Sequence, residues 1–478
     1  MRRNLACLLP GFVFVLVLAS AGCMRLGPDY SRPDAGFTIP SHFLSGKQAE
    51  TAAYVPQDKW WQAFGDSGLN RVVSTVVKNN PDIAQAAAGV MEARAVLTQT
   101  GADQYPSLNL DARAATQEQQ YINPITRKNE SVEIDTYSLS LPASFELDLW
   151  GRLARASEAA RAELLAAAQN RRTVVQSLVA EAANLYLRIR FLEGQIDITE
   201  SMVSSYKQNL ELVEARYQRG LSSVLDVHQA RRSLARAESE LPSLIEAKGK
   251  ARHALSILQG KYPENSKPEN SDCRPRAFHT PPPVPAGLPA ELLNRRPDIR
   301  SAEAALEAAC ARIGVARASR LPQITLTGSF GYTSEDLESL FEPESQLWRL
   351  AAGGVQPLFD AGRRAAAERA ARARYEKQLA SYAKTVLNAF AEVEDALLAR
   401  RQLLKRRNRL VHLRSEAEAT LKSALDRYQR GLTPYLNVLD ARQSVYQARL
   451  DLVEAEHSIY SNRVKLHRAL GGGWDWID

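Results

Sequence analysis

Long apolar runs are missing from this chain once its first 22 residues are set aside. No stretch of about 20 apolar residues remains, so no helix of the mature chain is expected to cross a bilayer. Any membrane role must then fall to a β-barrel or a covalent lipid. Aromatics are scarce, at 7% of 478 residues. Ala, Leu, Arg, Glu and Gln fill long stretches instead, a composition of helix and coiled coil. A dominant charge sign is also lacking. The formal +7 becomes +5 without Arg2 and Arg3, and the two signs interleave along helical stretches. That pattern is a solvated surface and gives no nucleic-acid partner.

Signatures of catalysis are absent too. The seven histidines, His42, His228, His253, His279, His412, His457 and His467, show no metal-ligand spacing. There is no HExxH, P-loop, dinucleotide fingerprint or nucleophile elbow. The expectation is a protein that is not an enzyme, holds no metal and needs no cofactor beyond a covalent lipid. Of four cysteines, Cys7 lies in the leader, and Cys273 and Cys310 remain after Cys23. A disulfide between them is allowed outside the cytosol but not implied. Cys310, set among alanines, reads as a small buried residue.

What is present begins with the leader. Arg2 and Arg3 precede an apolar stretch over 8–18, then Ser20-Ala21-Gly22 and Cys23. This is a signal peptide ending in a bacterial lipobox, with Ser20 standing where an apolar residue is usual. Acylation of Cys23 would anchor the chain, each buried CH₂ adding about 0.8 kcal/mol. The alternative is an ordinary secretory leader with a chance cysteine. Met24, rather than Asp, follows the cysteine, so the usual inner-membrane retention signal is absent.

The chain repeats itself. Tyr217-Gln218-Arg219-Gly220-Leu221 returns as Tyr428-Gln429-Arg430-Gly431-Leu432, 211 positions later. Gly151-Arg152 returns as Gly362-Arg363, Gly260 as Gly471, and Pro81-Asp82-Ile83 as Pro297-Asp298-Ile299. The organisation read from this is a leader over 1–22, a lipid-anchored extended segment over 23–60, repeat one over 61–260, a Pro-rich linker over 261–288, repeat two over 289–473 and a tail over 474–478.

Each repeat contains one long helix, expected over 152–218 and 363–429. A strict 4,3 spacing runs through Leu164, Ala168, Arg171, Val175, Leu178, Ala182, Leu185, Ile189, Leu192, Ile196, Thr199, Val203, Tyr206, Leu210, Val213 and Tyr217. Sustained seven-residue periodicity means a supercoiled helix packed on others. Repeat two keeps the register with Arg400, Arg407 and Arg414 on the seam. Such helices are about 100 Å long. Gly220 and Gly431 stand where a left-handed residue ends a helix. Ser222 and Thr433 are suited to cap the next helix, with Pro434 at its first position. Each repeat thus holds a helical hairpin, its tip at 219–224 or 430–435. The returning helices, 225–259 and 436–470, are half as long. The expectation is that 297–320 completes the first and 81–104 the second.

Between helices the period changes to two. In 137–147 the apolar side is Tyr137, Leu139, Leu141, Ala143, Phe145 and Leu147, facing Ser138, Ser140, Pro142, Ser144 and Glu146. In 324–332, Ile324, Leu326, Gly328, Phe330 and Tyr332 oppose Thr325, Thr327, Ser329 and Gly331. Four strands are expected, at about 106–115, 135–147, 322–333 and 347–357, with 116–133 and 333–346 as exposed loops. Strands with one greasy and one wet face are soluble hairpins packed on helices or membrane strands. In the second case they must close a barrel, and four are too few, since barrels start at about eight strands. Several chains would have to share one barrel.

These residues resemble the TolC family of outer-membrane efflux ducts, in its lipoprotein branch paired with resistance-nodulation-division pumps. The likeness covers nearly all of the mature chain. It is carried by Cys23 with Gly27-Pro28-Asp29-Tyr30, Trp60-Trp61 with Phe64, and the run from Glu146 through Asp148 and Trp150 to Arg152. It continues with Arg296-Pro297-Asp298-Ile299, Pro357-Leu358-Phe359-Asp360, both Tyr-x-x-Gly-Leu tips, and Ala469-Leu470-Gly471-Gly472-Gly473-Trp474. The resemblance implies a mainly α fold with a small β part, in which a homotrimer forms a twelve-stranded barrel and a helical periplasmic barrel. It implies docking to a periplasmic adaptor and an inner-membrane pump of that class, and export of small molecules across the outer membrane. A duct for type I protein secretion and a periplasmic adaptor lipoprotein are the rival readings.

The resemblance also places a gate where the helical tips meet. Carried onto this sequence it names Tyr217, Arg219, Asp226, Tyr428, Arg430 and Asp440, with Gly220 and Gly431 as the tip turns. Rings of Asp at the mouth would favour cations. The sequence departs from the pattern at Thr433 and Asn437, where a basic residue and an acid are expected. Asp226 and Asp440 have a plainer reading as complements to helix N-termini, and the two tyrosines as the ends of the apolar seam.

Overall fold

The structure is a computed structural model. It describes residues 25–33, 40, 42–44, 59–125, 127–263 and 289–472. The leader, Cys23, Cys273, the linker beyond residue 263 and the 474–478 tail lie outside the described residues.

The described helices are α1 (Ser67–Asn79), α2 (Pro81–Ala102), α3 (Arg152–Gln218), α4 (Val224–Leu258), α5 (Pro289–Arg295), α6 (Pro297–Ala318), α7 (Arg363–Gln429) and α8 (Tyr435–Ala469). The strands are β1 (Ser107–Leu108), β2 (Asp111–Ile122), β3 (Asn129–Leu147), β4 (Gln323–Ser334) and β5 (Gln346–Val355). Both long helices have the limits that their glycines set in the sequence. The chain folds into two compact units, which cut across the repeats.

The first unit comprises 1–34, 89–167 and 301–382 and contains the sheet. Its β2, β3, β4 and β5 form an antiparallel order, with β1 a short piece beside β3. The register sets Leu141 opposite Phe330 and Phe330 opposite Trp348, so the apolar residues of three strands share one face. One expectation changes here. The β2–β3 pair runs on through Thr116–Asp135, Glu118–Glu133 and Ile122–Asn129. The stretch 116–133, expected as a loop, is mostly ladder. Over 116–120 β2 is polar on both sides, and Val132 and Ile134 of β3 face Gln119 and Gln117, so no continuous apolar face marks the pair in the sequence. Residues 25–33 pack beside the sheet end. Arg155, 2% exposed, donates to Asp29 at 2.6 Å, to Glu158 at 2.8 Å and to the Leu26 carbonyl at 3.2 Å. Cys310 is a buried free thiol there.

The second unit comprises 35–88, 168–300 and 383–478. Within it the α3 seam is buried as its spacing requires, at Val175, Leu178, Ala182, Ile189, Leu192, Ile196, Thr199, Val203, Tyr206 and Val213. The polar member, Thr199, satisfies its hydroxyl on the Gln195 carbonyl at 2.8 Å and lies 3.1 Å from the Tyr446 hydroxyl. On α7 the seam arginine Arg407 meets Glu456 of α8 at 3.5 Å. Trp60 and Trp61 anchor a cluster with Leu69, Val73 and Val76 of α1, which Asp66 caps through the amides of Gly68 and Leu69.

The short helices join in the opposite sense to that expected. Asn80, just before α2, donates from Nδ2 to the Leu258 carbonyl at the end of α4, at 2.9 Å. Its Oδ1 accepts from the amides of Asp82 and Ile83 at 2.8 and 3.3 Å. Arg296, just before α6, donates to the Ala469 carbonyl at the end of α8, at 3.0 Å. So α2 follows α4, and α6 follows α8. The last carbonyls of a helix lack intrahelical partners, and here the residue ahead of the next helix supplies them. Gly260, at φ +67°, makes the approach possible: a Cβ there would lie 2.4 Å from the Asn79 carbonyl oxygen.

Candidate periplasmic gate at the hairpin tips

Both tips are built by the backbone first. In the first, Gly220 takes φ +70° and Leu221 donates to the Arg216 carbonyl at 2.9 Å. In the second, Gly431 takes φ +75° and Leu432 donates to the Arg427 carbonyl at 2.9 Å. A left-handed backbone is cheap only for glycine, which is why the motif repeats it. The caps differ from those expected. Ser223, one residue after Ser222, is the N-cap of α4, and Pro434 occupies the N-cap position of α8 without a side-chain bond. A proline there fixes φ and leaves Thr433 to accept from Asn437 at 2.6 Å.

Asp226 is drawn into a capping box. Its amide donates to Ser223 Oγ at 3.2 Å, and its Oδ2 accepts from the Ser223 amide at 3.1 Å and from Ser222 Oγ at 2.7 Å. Ser222 Oγ lies 3.5 Å from the Tyr428 hydroxyl, so the first tip reaches the second through this pair. Tyr428 is 5% exposed. Its ring lies 5.5 Å from that of Tyr435, and the Arg216 guanidinium sits 4.9 Å over it, a cation–π contact. The other residues named from sequence stand apart from this cluster. Tyr217 is 47% exposed, while Arg219 and Asp440 are exposed. Arg430 turns back on its own helix to Asp426 at 3.0 Å.

Sequence reasoning missed the polar ladder above the tips. Tyr435 receives a hydrogen bond from Asn209, and burial pushes its hydroxyl up to about 12. Arg442 donates from Nη1 to Ser205, its Nε has no acceptor, and burial pushes it below the ordinary arginine value. Tyr446 donates to Glu240 at 2.5 Å, and burial followed by that bond raises its hydroxyl to about 12. The signal was there: Tyr435, Leu439, Arg442 and Tyr446 continue the 4,3,4 spacing that marks a packed seam.

The chain matches the family model described as outer membrane efflux protein over residues 72–261 and 288–472. It is 35% identical to the cation efflux system protein CusC of Escherichia coli (strain K12) over 464 residues, 96% of this chain and 98% of that one. It is 33% identical to the toluene efflux pump outer membrane protein TtgI of Pseudomonas putida, with 98% of each chain covered. Among solved structures, the outer-membrane channel OprN superposes with a TM-score of 0.84 at 31% identity, over 94% of this chain and 99% of that one. CusC superposes with a TM-score of 0.83 at 33% identity, over 94% and 100%. The chain belongs to the outer membrane efflux protein family and is the outer-membrane channel of an efflux system.

Proposed function

We propose that three copies of this chain close one twelve-stranded barrel and carry small toxic solutes, such as metal cations or organic solvents, out through it. The observation that carries this is an open sheet with one apolar face. Leu141, Phe330, Trp348 and Leu350 are exposed on that face, and β5 is exposed along its whole length. Hydrocarbon leaves no water to satisfy a free strand edge, so edges there must be closed by other strands. Acyl chains on Cys23 add a second hold on the membrane. The chain performs no bond chemistry and needs no cofactor besides that lipid. It supplies a wet path, and a periplasmic adaptor and a resistance-nodulation-division pump deliver cargo at its tips. The names of the relatives support this range of cargo, cations for CusC and toluene for TtgI.

The gate in this reading is the tip cluster around Tyr428, with Tyr217, Arg219, Arg430 and Asp440 available to neighbouring copies and Asp226 fixing the turn. The test is the mass of the detergent-solubilised, full-length protein, followed by single-channel recording in planar bilayers. A trimer with stepwise conductance is expected; a stable monomer without conductance would overturn the reading.

A further inference from the structure

On the wet face of the sheet, Arg349 has no hydrogen-bond or ion-pair partner among the described residues. The register places Arg349 opposite Ser329, and Ser329 opposite Pro142. On one side the next row on this face is Ala351, Thr327 and Ser144; on the other it is Leu347, Gly331, Ser140 and Asp111. Directly opposed residues share a face and successive residues alternate. Arg349 therefore stands among Ser and Thr, while Trp348 and Leu350 stand with Phe330 and Gly328 on the other side. Arg349, Asn109, Ser144, Thr327 and Ser329 also line one depression of about 260 Å³. An arginine turned to lipid within a barrel strand is destabilising, and this register avoids that.

Glu146, on the same face, has a cation of its own. Glu146 takes Arg152 through two bonds, at 3.0 and 2.7 Å. Asp111 and Arg113 are two apart on β2, hence on the same side, and bring one charge of each sign. Arg349 is exposed on an edge strand, and among the described residues no hydrogen bond or ion pair engages it.

We propose that Arg349, repeated in each copy, forms a basic ring that favours small anionic solutes inside the barrel. The inference rests on the three-copy reading above. A ring of arginines in a pore walled by low-dielectric material concentrates anions, because the walls focus the field into the lumen. The outer half of the duct then prefers the charge opposite to the one that an acidic tip would prefer.

A local chemical probe tests this without interference from the tip gate. S329C puts a thiol opposite Arg349, and the full-length oligomer is reconstituted into liposomes. Labelling rates are compared for an anionic sulfonatoethyl and a cationic trimethylammonium-ethyl methanethiosulfonate, with the protein lacking S329C as control. The anionic reagent is expected to react faster at low salt, on the order of tenfold. The preference should shrink in 1 M salt, where the screening length is about 3 Å. Adding R349Q should remove it and R349E should invert it. A rate ratio that R349Q leaves unchanged would overturn the ring, as would a ratio near one in an intact trimer, which would mean that an acid such as Asp111 of a neighbouring copy neutralises the arginine. Loss of the trimer itself, read by mass before labelling, would instead sink the three-copy reading.

Discussion

Asn80 and Arg296 perform the same task with unrelated chemistry. Each stands one residue before a helix that starts with proline, and each donates to the last carbonyl region of another helix, Asn80 to Leu258 at 2.9 Å and Arg296 to Ala469 at 3.0 Å. The acceptors are 211 positions apart, the offset of the hairpins. The junction is thus duplicated with the fold, although the side chain that makes it was exchanged.

Arg296 carries more than the carbonyl. It also holds Asp298 at 2.7 Å and Glu392 at 2.8 Å, and is 7% exposed. Arg296→Ala leaves Asp298 without its cation and Glu392 with only Arg468, at 3.5 Å, and is expected to cost about 3 kcal/mol. Arg296→Lys keeps the charge but loses the two-pronged geometry, so it recovers only part. Thermal unfolding of the solubilised protein measures both, and the loss should be accompanied by faster hydrogen exchange over 292–299.

The capping box separates two roles for the acids near the tips. Asp226→Ala and Ser223→Ala should each lower local stability by about 1 kcal/mol. Their double mutant should cost less than the sum, because they share the same bonds. Asp440 is exposed, so Asp440→Asn should leave exchange protection intact and change cation preference in bilayers. Equal changes in ion preference for Asp226→Asn and Asp440→Asn would show that the box does not absorb the charge of Asp226.

Tyr217 and Tyr428 are repeats of one another, yet they differ in exposure, 47% against 5%. Truncating a buried aromatic costs about 3–5 kcal/mol. Tyr428→Ala is therefore expected to open both tips to protease near 219–224 and 430–435. Tyr217→Ala should leave cleavage of the isolated protomer unchanged. Tyr428→Phe should behave almost as the wild type, since its hydroxyl contact to Ser222 is 3.5 Å long.

The two long helices were legible to the residue, and the expected shorter ones to within two, because glycines and a seven-residue period state their limits in the sequence, as at Gly220 and Gly431. The apolar strand halves were legible for the same reason, with Leu139 and Phe330 alternating against Ser140 and Ser329. The join between helices was not, since nothing local says whether Asn80 meets Leu258 or Ala469; that choice is made by buried side chains in three dimensions. The outward ends of β2 and β3 were hidden because one face is polar, with Thr116 and Asp135 bonded at 2.6 Å, and the other sets Ile134 and Val132 against Gln117 and Gln119. At the tips, the motif points to Tyr217 and Arg219, whereas Tyr435 and Arg442 lie outside it and become a cluster only when α3 and α8 pack together.

Acid should weaken the second unit through two buried imidazoles. His467 is 2% exposed and stacks on Trp60 at 5.2 Å, and neither ring nitrogen has a partner. Burial, with Arg463 nearby, pushes it down to about 3. His457, against Phe191 at 4.7 Å, is lowered to about 4 by burial and then Arg188. Both therefore stay neutral in the folded chain, while in the unfolded chain they take up a proton near pH 6.5. Between those values the unfolded state binds more protons, so stability is fully present above about pH 6.5 and falls as the pH drops toward 3. At pH 4.5 the loss from His467 alone should be about 2–3 kcal/mol. His467→Phe keeps the stack on Trp60 and removes the proton site. Its melting temperature should decline less than that of the wild type between pH 7 and pH 4.5, and parallel declines would mean that the imidazole is reached by water or by an acid in the folded protein.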